Sequence, residues 1–190
     1  MTHLLTALGR FADFAIEGLL HWDEKTLEAI SENPRLQPLS GLFLAATYLG
    51  DGYLWGGLAL GLILFGRPID RMNVLLGLGV MIVSIAVFRL FKLLFARPRP
   101  LLVTSELRSR FIDTYSFPSG HATTSFAIAW VIAACYPHLA VQVAAYGAAI
   151  TISLSRVYMR EHYPLDVICG GLLGSLTAAY LLPLFERLLF

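Results

Sequence analysis

Two histidines stand in the densest polar clusters of an otherwise apolar chain. His121 closes Pro118-Ser119-Gly120-His121, and His162 lies in Ser155-Arg156, five residues, His162, three residues, Asp166. A third stretch, residues 92–100, adds Lys92, Arg97 and Arg99. Charge inside a membrane protein is costly, so ionisable clusters there mark functional sites by default. Together the three groups supply what phosphoryl transfer needs: cations for the phosphate oxygens, a nitrogen nucleophile and a proton donor.

The guanidinium is a rigid fork that matches phosphate oxygens bidentately, so Lys92, Arg99 and Arg156 can surround a phosphate. Ser119 adds a hydroxyl. The amides of Gly120 and His121 open a helix whose N-terminus favours an anion, and Pro118 leads into that turn with a fixed φ. His162 and Asp166 are four residues apart, with Pro164 suited to the first turn of a helix. That spacing lets Asp166 accept from one imidazole nitrogen and hold the other as a nucleophile. His121 can then protonate the leaving oxygen. His3, His21 and His138 lack such neighbours and read as satisfied polar residues at helix ends.

The elements that must position these groups follow from composition. Of 190 residues, 57% are hydrophobic and 14% are charged, against about 25% charged in a soluble domain. This predicts an all-α, polytopic membrane bundle formed by one domain over residues 1–190. The formal net charge of +1 does not point to nucleic acid. Cys135 and Cys169 fall at helix depths differing by roughly 15–20 Å. A disulfide requires Cα atoms within ~7 Å, so two free thiols are expected.

Residues 1–22 carry Arg10, Asp13 and Glu17 and lack the clean apolar core of a cleavable signal peptide. Leu4, Leu5, Leu8, Phe11, Phe14, Ala15 and Leu19 recur at three- and four-residue steps. That pattern predicts an amphipathic helix on the interface, with a short spanning helix as the alternative. Residues 23–37 are polar; Asp23 suits the N-cap of a short surface helix that Pro34 breaks. Apolar spans are expected over 39–65, interrupted by Gly50-Asp51-Gly52, then 72–95, 121–136, 139–157 and 165–184, giving five to six helices with the N-terminal one. The third has only about sixteen residues before Pro137, fewer than the ~20 that cross a bilayer, so its His121 end is expected below headgroup level. Gly170, Gly171 and Gly174 permit close helix contact. Alternation across the bilayer brings Lys92, Arg99, His121, Arg156 and Asp166 to one face. The opposite face carries Arg67, Arg71 and Arg187 on short connections, which suits a cytoplasmic side. The polar face is therefore expected on the periplasmic or exterior side of a bacterial inner membrane.

Lys92-Leu-Leu-Phe-Ala-Arg-Pro-Arg99-Pro100 fits Lys-x6-Arg-Pro, Pro118-Ser-Gly-His121 fits Pro-Ser-Gly-His, and residues 155–166 fit Ser-Arg-x5-His-x3-Asp. In this order they resemble the type 2 phosphatidic acid phosphatase (PAP2) superfamily, lipid phosphatases related to vanadium haloperoxidases. The motif core covers residues 92–166. The resemblance implies a phosphohistidine at His162, oriented by Asp166, with His121 as general acid. It implies a phosphate cradle of Lys92, Arg99, Ser119, Gly120 and Arg156, a six-helix core, and no metal or other cofactor. The sequence agrees in offering no cluster of carboxylates or cysteines for a cation. The implied partner is a lipid phosphate whose tail stays among the membrane lipids: undecaprenyl diphosphate, phosphatidylglycerol phosphate, phosphatidic acid or lipid A phosphate. A lipid-linked phosphotransferase would use the same intermediate. A non-catalytic lipid-binding or transport protein is the further alternative, against which the complete set His121, His162 and Asp166 speaks.

Other polar residues take lesser roles. Spacing from Lys92 selects Arg99, leaving Arg97 as an interfacial residue rather than a headgroup contact. Arg89, one turn before Lys92, shares its face. Arg160 and Glu161 either pair with each other in solvent or read a headgroup. Asp51 caps or kinks the first span. Tyr115 and Phe117 wall the site or anchor at the interface. Substrate passage is expected between the helices bearing Lys92 and His121.

Overall fold

Every apolar run becomes a helix, and the breaks fall at proline, glycine and polar turns. The computed structural model describes residues 2–100 and 114–189, with side chains from residue 13 to residue 188. The periodic positions Leu4, Leu5, Leu8 and Phe11 thus lie outside the described side chains, as does most of the loop after Pro100. The helices are α1 (Thr2–Ser31), α2 (Ser40–Tyr48), α3 (Leu54–Phe65), α4 (Pro68–Phe95), α5 (Gly120–Cys135), α6 (Leu139–Tyr158) and α7 (Pro164–Leu189). A 3-10 turn, Pro34–Leu39, precedes α2, and a kinked segment, Leu49–Tyr53, joins α2 to α3. No strand occurs among the described residues; one isolated bridge pairs Pro98 with Tyr115.

Among the described residues, four helical stretches are long and apolar enough to cross a membrane: Pro34–Phe65, Pro68–Phe95, Leu139–Tyr158 and Pro164–Leu188. The sixteen-residue α5 is apolar but shorter. The chain is an integral membrane protein built as a helical bundle. α5 is its axis, with α4, α6 and α7 packed around it. Leu76 and Val80 of α4, Ala127 and Val131 of α5, and Ala178 and Leu182 of α7 form one buried cluster. Ala129 of α5 meets Ala145 and Ala149 of α6. Small residues bring the backbones close, as interfaces without a hydrophobic drive require. A Cβ on Gly170 would sit 2.6 Å from the Ser119 carbonyl, and one on Gly174 would overlap the Thr123 carbonyl.

The boundaries depart from expectation in two places. α1 does not end before Asp23; it runs unbroken to Ser31, and Asp23 lies buried within it rather than capping a separate surface helix. α7 continues through Pro183 to Leu189. On the face away from His121, Asp70 accepts from the Arg67 amide at 2.8 Å and from the Tyr136 hydroxyl at 3.0 Å, tying the start of α4 to the end of α5. Cys135 and Cys169 are free thiols, as their depths predict.

Candidate active site

The end of α6 folds back on itself. The amides of Glu161 and His162 both donate to the Arg156 carbonyl, at 3.0 and 3.2 Å, with Arg160 in the left-handed region at φ 54°. The turn tucks His162 into the bundle, where it is buried. Its Nδ1 faces Asp166 Oδ2 at 3.5 Å, longer than a firm hydrogen bond. Its Nε2 lies 3.4 Å from Arg99 Nη1, which also donates to the Glu161 carbonyl at 3.1 Å. Burial first, then the positive charges of Arg99, Arg156 and Lys92, press the His162 pKa well below the ordinary imidazole value. The resting imidazole is neutral.

Asp166 is held from several sides. Oδ2 accepts from the Tyr163 amide at 2.9 Å, and Oδ1 accepts from Arg97 Nη1 at 2.9 Å. Its carbonyl accepts from the Ser119 amide at 2.9 Å, joining the start of α7 to the start of α5. Ser119 is buried and caps α5, its hydroxyl 3.5 Å from the Ala122 amide. Lys92, in the last turn of α4, donates to the Tyr115 carbonyl at 2.7 Å.

His121 occupies the other side. Its Nε2 lies 2.8 Å from Asp51 Oδ1. Asp51 belongs to the kink between α2 and α3, where Gly52 takes φ 110°, a conformation that favours glycine. Gly50 is required by proximity: a Cβ there would meet Ile152 Cγ2 at 2.6 Å and His121 Cδ2 at 3.0 Å.

Both histidines open onto one cavity of about 1030 Å³. Lys92, Arg99, Gly120, His121, Arg156 and His162 line its polar end, with Asp51 beside them. Apolar side chains of α3, α4 and α5 line the rest, down to Asn73 and Tyr136. Asp166 and Ser119 stand behind this surface and do not line it. Arg89 lines it together with Lys92, as their helical spacing predicts.

Several expectations need correction. The cavity is lined by both helices bearing Lys92 and His121, which pack together where Gly120 meets the Phe88 ring, and α3 lines it as well. Arg97 is not an interfacial residue: it bridges Asp23, at 2.7 Å, and Asp166. Arg160 and Glu161 do not pair with each other. Arg160 pairs with Glu32 at 2.5 Å, whereas Glu161 is buried in an ion pair with Arg156. Tyr115 and Phe117 do not line the cavity; Tyr115 offers its carbonyl to Lys92, and Phe117 packs edge-on against Phe95 at 5.0 Å. Asp51 does more than shape its span, since it faces His121.

Both histidines thus face one cavity that Lys92, Arg99 and Arg156 also line. Residues 73–189 match the PAP2 superfamily, and the chain belongs to that family. It is a membrane lipid phosphatase, as the names of its relatives also indicate. It is 30% identical over 144 residues to an undecaprenyl-diphosphatase of Sulfolobus acidocaldarius, covering 74% of this chain and 68% of that protein. Over 60 residues it is 42% identical to a lipid A 1-phosphatase of Rhizobium johnstonii, a match to 32% of this chain and 24% of the relative. The crystal structure of LpxE from Aquifex aeolicus superposes with a TM-score of 0.68 at 27% identity, over 82% of this chain and 92% of that one. The PAP2-type phosphatidylglycerolphosphate phosphatase from Bacillus subtilis shares the fold, with a TM-score of 0.68 at 24% identity over 90% of this chain and 87% of that one.

Proposed function

We propose that this phosphatase hydrolyses a lipid phosphomonoester or diphosphate, releasing its terminal phosphate, through a phosphohistidine at His162. One observation carries the reading: a single cavity holds both histidines and three cations at one end and an apolar wall at the other. The polar end suits a phosphate and the wall suits a tail that stays in the bilayer.

His162 Nε2 attacks phosphorus, and the bond from phosphorus to the lipid oxygen breaks. His121 gives its proton to that oxygen. Asp166 accepts from Nδ1–H, so that Nε2 carries the lone pair and the ring charge that develops is compensated. Lys92, Arg99, Arg156 and the Gly120 amide hold the phosphate oxygens, with Ser119 fixing the start of α5 behind them. Water, deprotonated by His121, then cleaves the phosphohistidine and releases inorganic phosphate. No step uses a metal. The arginines at the opposite face, Arg67 and Arg71, favour a cytoplasmic location for that side, putting the site on the periplasmic or exterior face of a bacterial inner membrane.

The test is phosphate release in liposomes from undecaprenyl diphosphate, phosphatidylglycerol phosphate, phosphatidic acid and lipid A phosphate, with and without EDTA. Release from at least one lipid, unaffected by EDTA, is expected. No release from any of them sinks the reading. A phosphorylated acceptor in place of free phosphate makes the protein a phosphotransferase. Loss with EDTA that Mg²⁺ restores overturns the metal-free step.

A further inference from the structure

Arg97 and Asp23 lie behind the site, out of the cavity, yet they are among its most constrained groups. Asp23, on α1, is buried, and both its oxygens are engaged: Oδ2 by Arg97 Nη2 at 2.7 Å, Oδ1 by the Leu165 amide at 2.8 Å. Leu165 is in the first turn of α7. Asp23 therefore does cap a helix, though not its own. The other arm of the Arg97 fork donates to Asp166, and its guanidinium lies 3.9 Å over the Tyr163 ring. Arg97 cannot touch a phosphate from here, in contrast to Arg99, which lines the cavity beside His162.

The charges show what this arrangement accomplishes. Asp166 paired with Arg97 alone would be neutral and would do little for a ring that turns cationic during phosphoryl transfer. Asp23 shares the guanidinium, so the buried trio carries one net negative charge, with Asp166 Oδ2 as the atom nearest His162. The fork fixes the carboxylate plane while Asp23 preserves its charge. A planar bidentate donor can bridge two carboxylates in this way; an ammonium cannot hold the same geometry.

We infer that Asp23 and Arg97 are positioning residues for the His162–Asp166 pair, which makes α1 a working part of the phosphatase. This rests on the phosphohistidine reading. The test is a double-mutant cycle on phosphate release from the best lipid of the panel. Asp23→Asn and, separately, Arg97→Lys should each lower kcat at least tenfold with KM changed less than threefold. In an Asp166→Asn background the same changes should cost less than twofold, because the carboxylate they serve is gone. A merely structural contact predicts the same loss in both backgrounds, and that result overturns the inference. So does a kcat for both single variants within twofold of wild type. Arg97→Lys keeps the charge, so it still decides the matter if Asp23→Asn fails to fold. A wild-type protein that releases no phosphate from any lipid sinks the phosphatase reading first and this inference with it.

Discussion

The two histidines face the same cavity from opposite sorts of surroundings. Behind His162 lies a largely buried lattice in which Asp166, Arg97, Asp23 and the amides of Tyr163 and Leu165 fix one another. His121 is about one-fifth exposed, and its partner Asp51 is about one-third exposed, on a span kinked at Gly52. The contrast fits a division of labour. A nucleophile must be oriented and kept neutral before substrate arrives, and rigid buried groups do that at no further cost of reorganisation. A proton donor must reach leaving groups of varying position and must meet water in the second half-reaction.

Four experiments bear on that contrast. His162→Ala should abolish phosphate release while circular dichroism shows the helices intact; robust turnover by that variant breaks the nucleophile assignment. His121→Ala should lose roughly 10²–10⁴-fold on a lipid substrate, the usual worth of a general acid. On an aryl phosphate, whose leaving group needs no proton, most of that loss should vanish. An equal loss on both substrates would mean that His121 binds phosphate instead. The acid limb of kcat/KM should lie below the ordinary histidine value of ~6.5, because burial and the cations disfavour imidazolium at His162. Removing a cation removes repulsion of that proton, so Arg99→Gln should move the limb to higher pH; a shift to lower pH contradicts the electrostatic account. Smallest of all, Asp51→Asn should cost about threefold to tenfold in kcat, in keeping with ~1 kcal/mol for a partly exposed hydrogen bond. A loss as large as that from His121→Ala would show the His121 side to be as rigidly held as the other.

Much of the site was legible because its chemistry is concentrated in contiguous motifs at helix ends, and alternation of spans then brings those ends together. Pro34 and Pro137 follow the ends of their helices for local reasons, as proline commonly does, although α7 runs through Pro183. What escaped was long-range pairing. Asp23 and Arg97 are 74 positions apart, and neither carries a local sign of its partner. Asp23 resembles an N-cap by residue type alone, and the continuity of α1 overrides that preference. Glu161 looks solvent-facing beside Arg160, yet the turn after α6 directs one inward and the other toward Glu32. Asp51 could have been found from its signal, a carboxylate between two glycines in an apolar span, read as a functional group by default. The kink at Gly52, which lines the cavity, is a break that apolar periodicity does not register.

The brevity of α5 has a consequence for the surrounding lipid. Sixteen residues at ~1.5 Å each reach ~24 Å, against a hydrocarbon thickness of ~30 Å. If longer neighbours set the level of the bilayer around the protein, the His121 end of α5 is expected below the plane where phosphates normally rest. Hydrophobic mismatch of a few ångströms is relieved by local thinning, at fractions of a kcal/mol per ångström. The membrane itself thus becomes part of how substrate is presented, and the same protein will work differently in thin and thick bilayers.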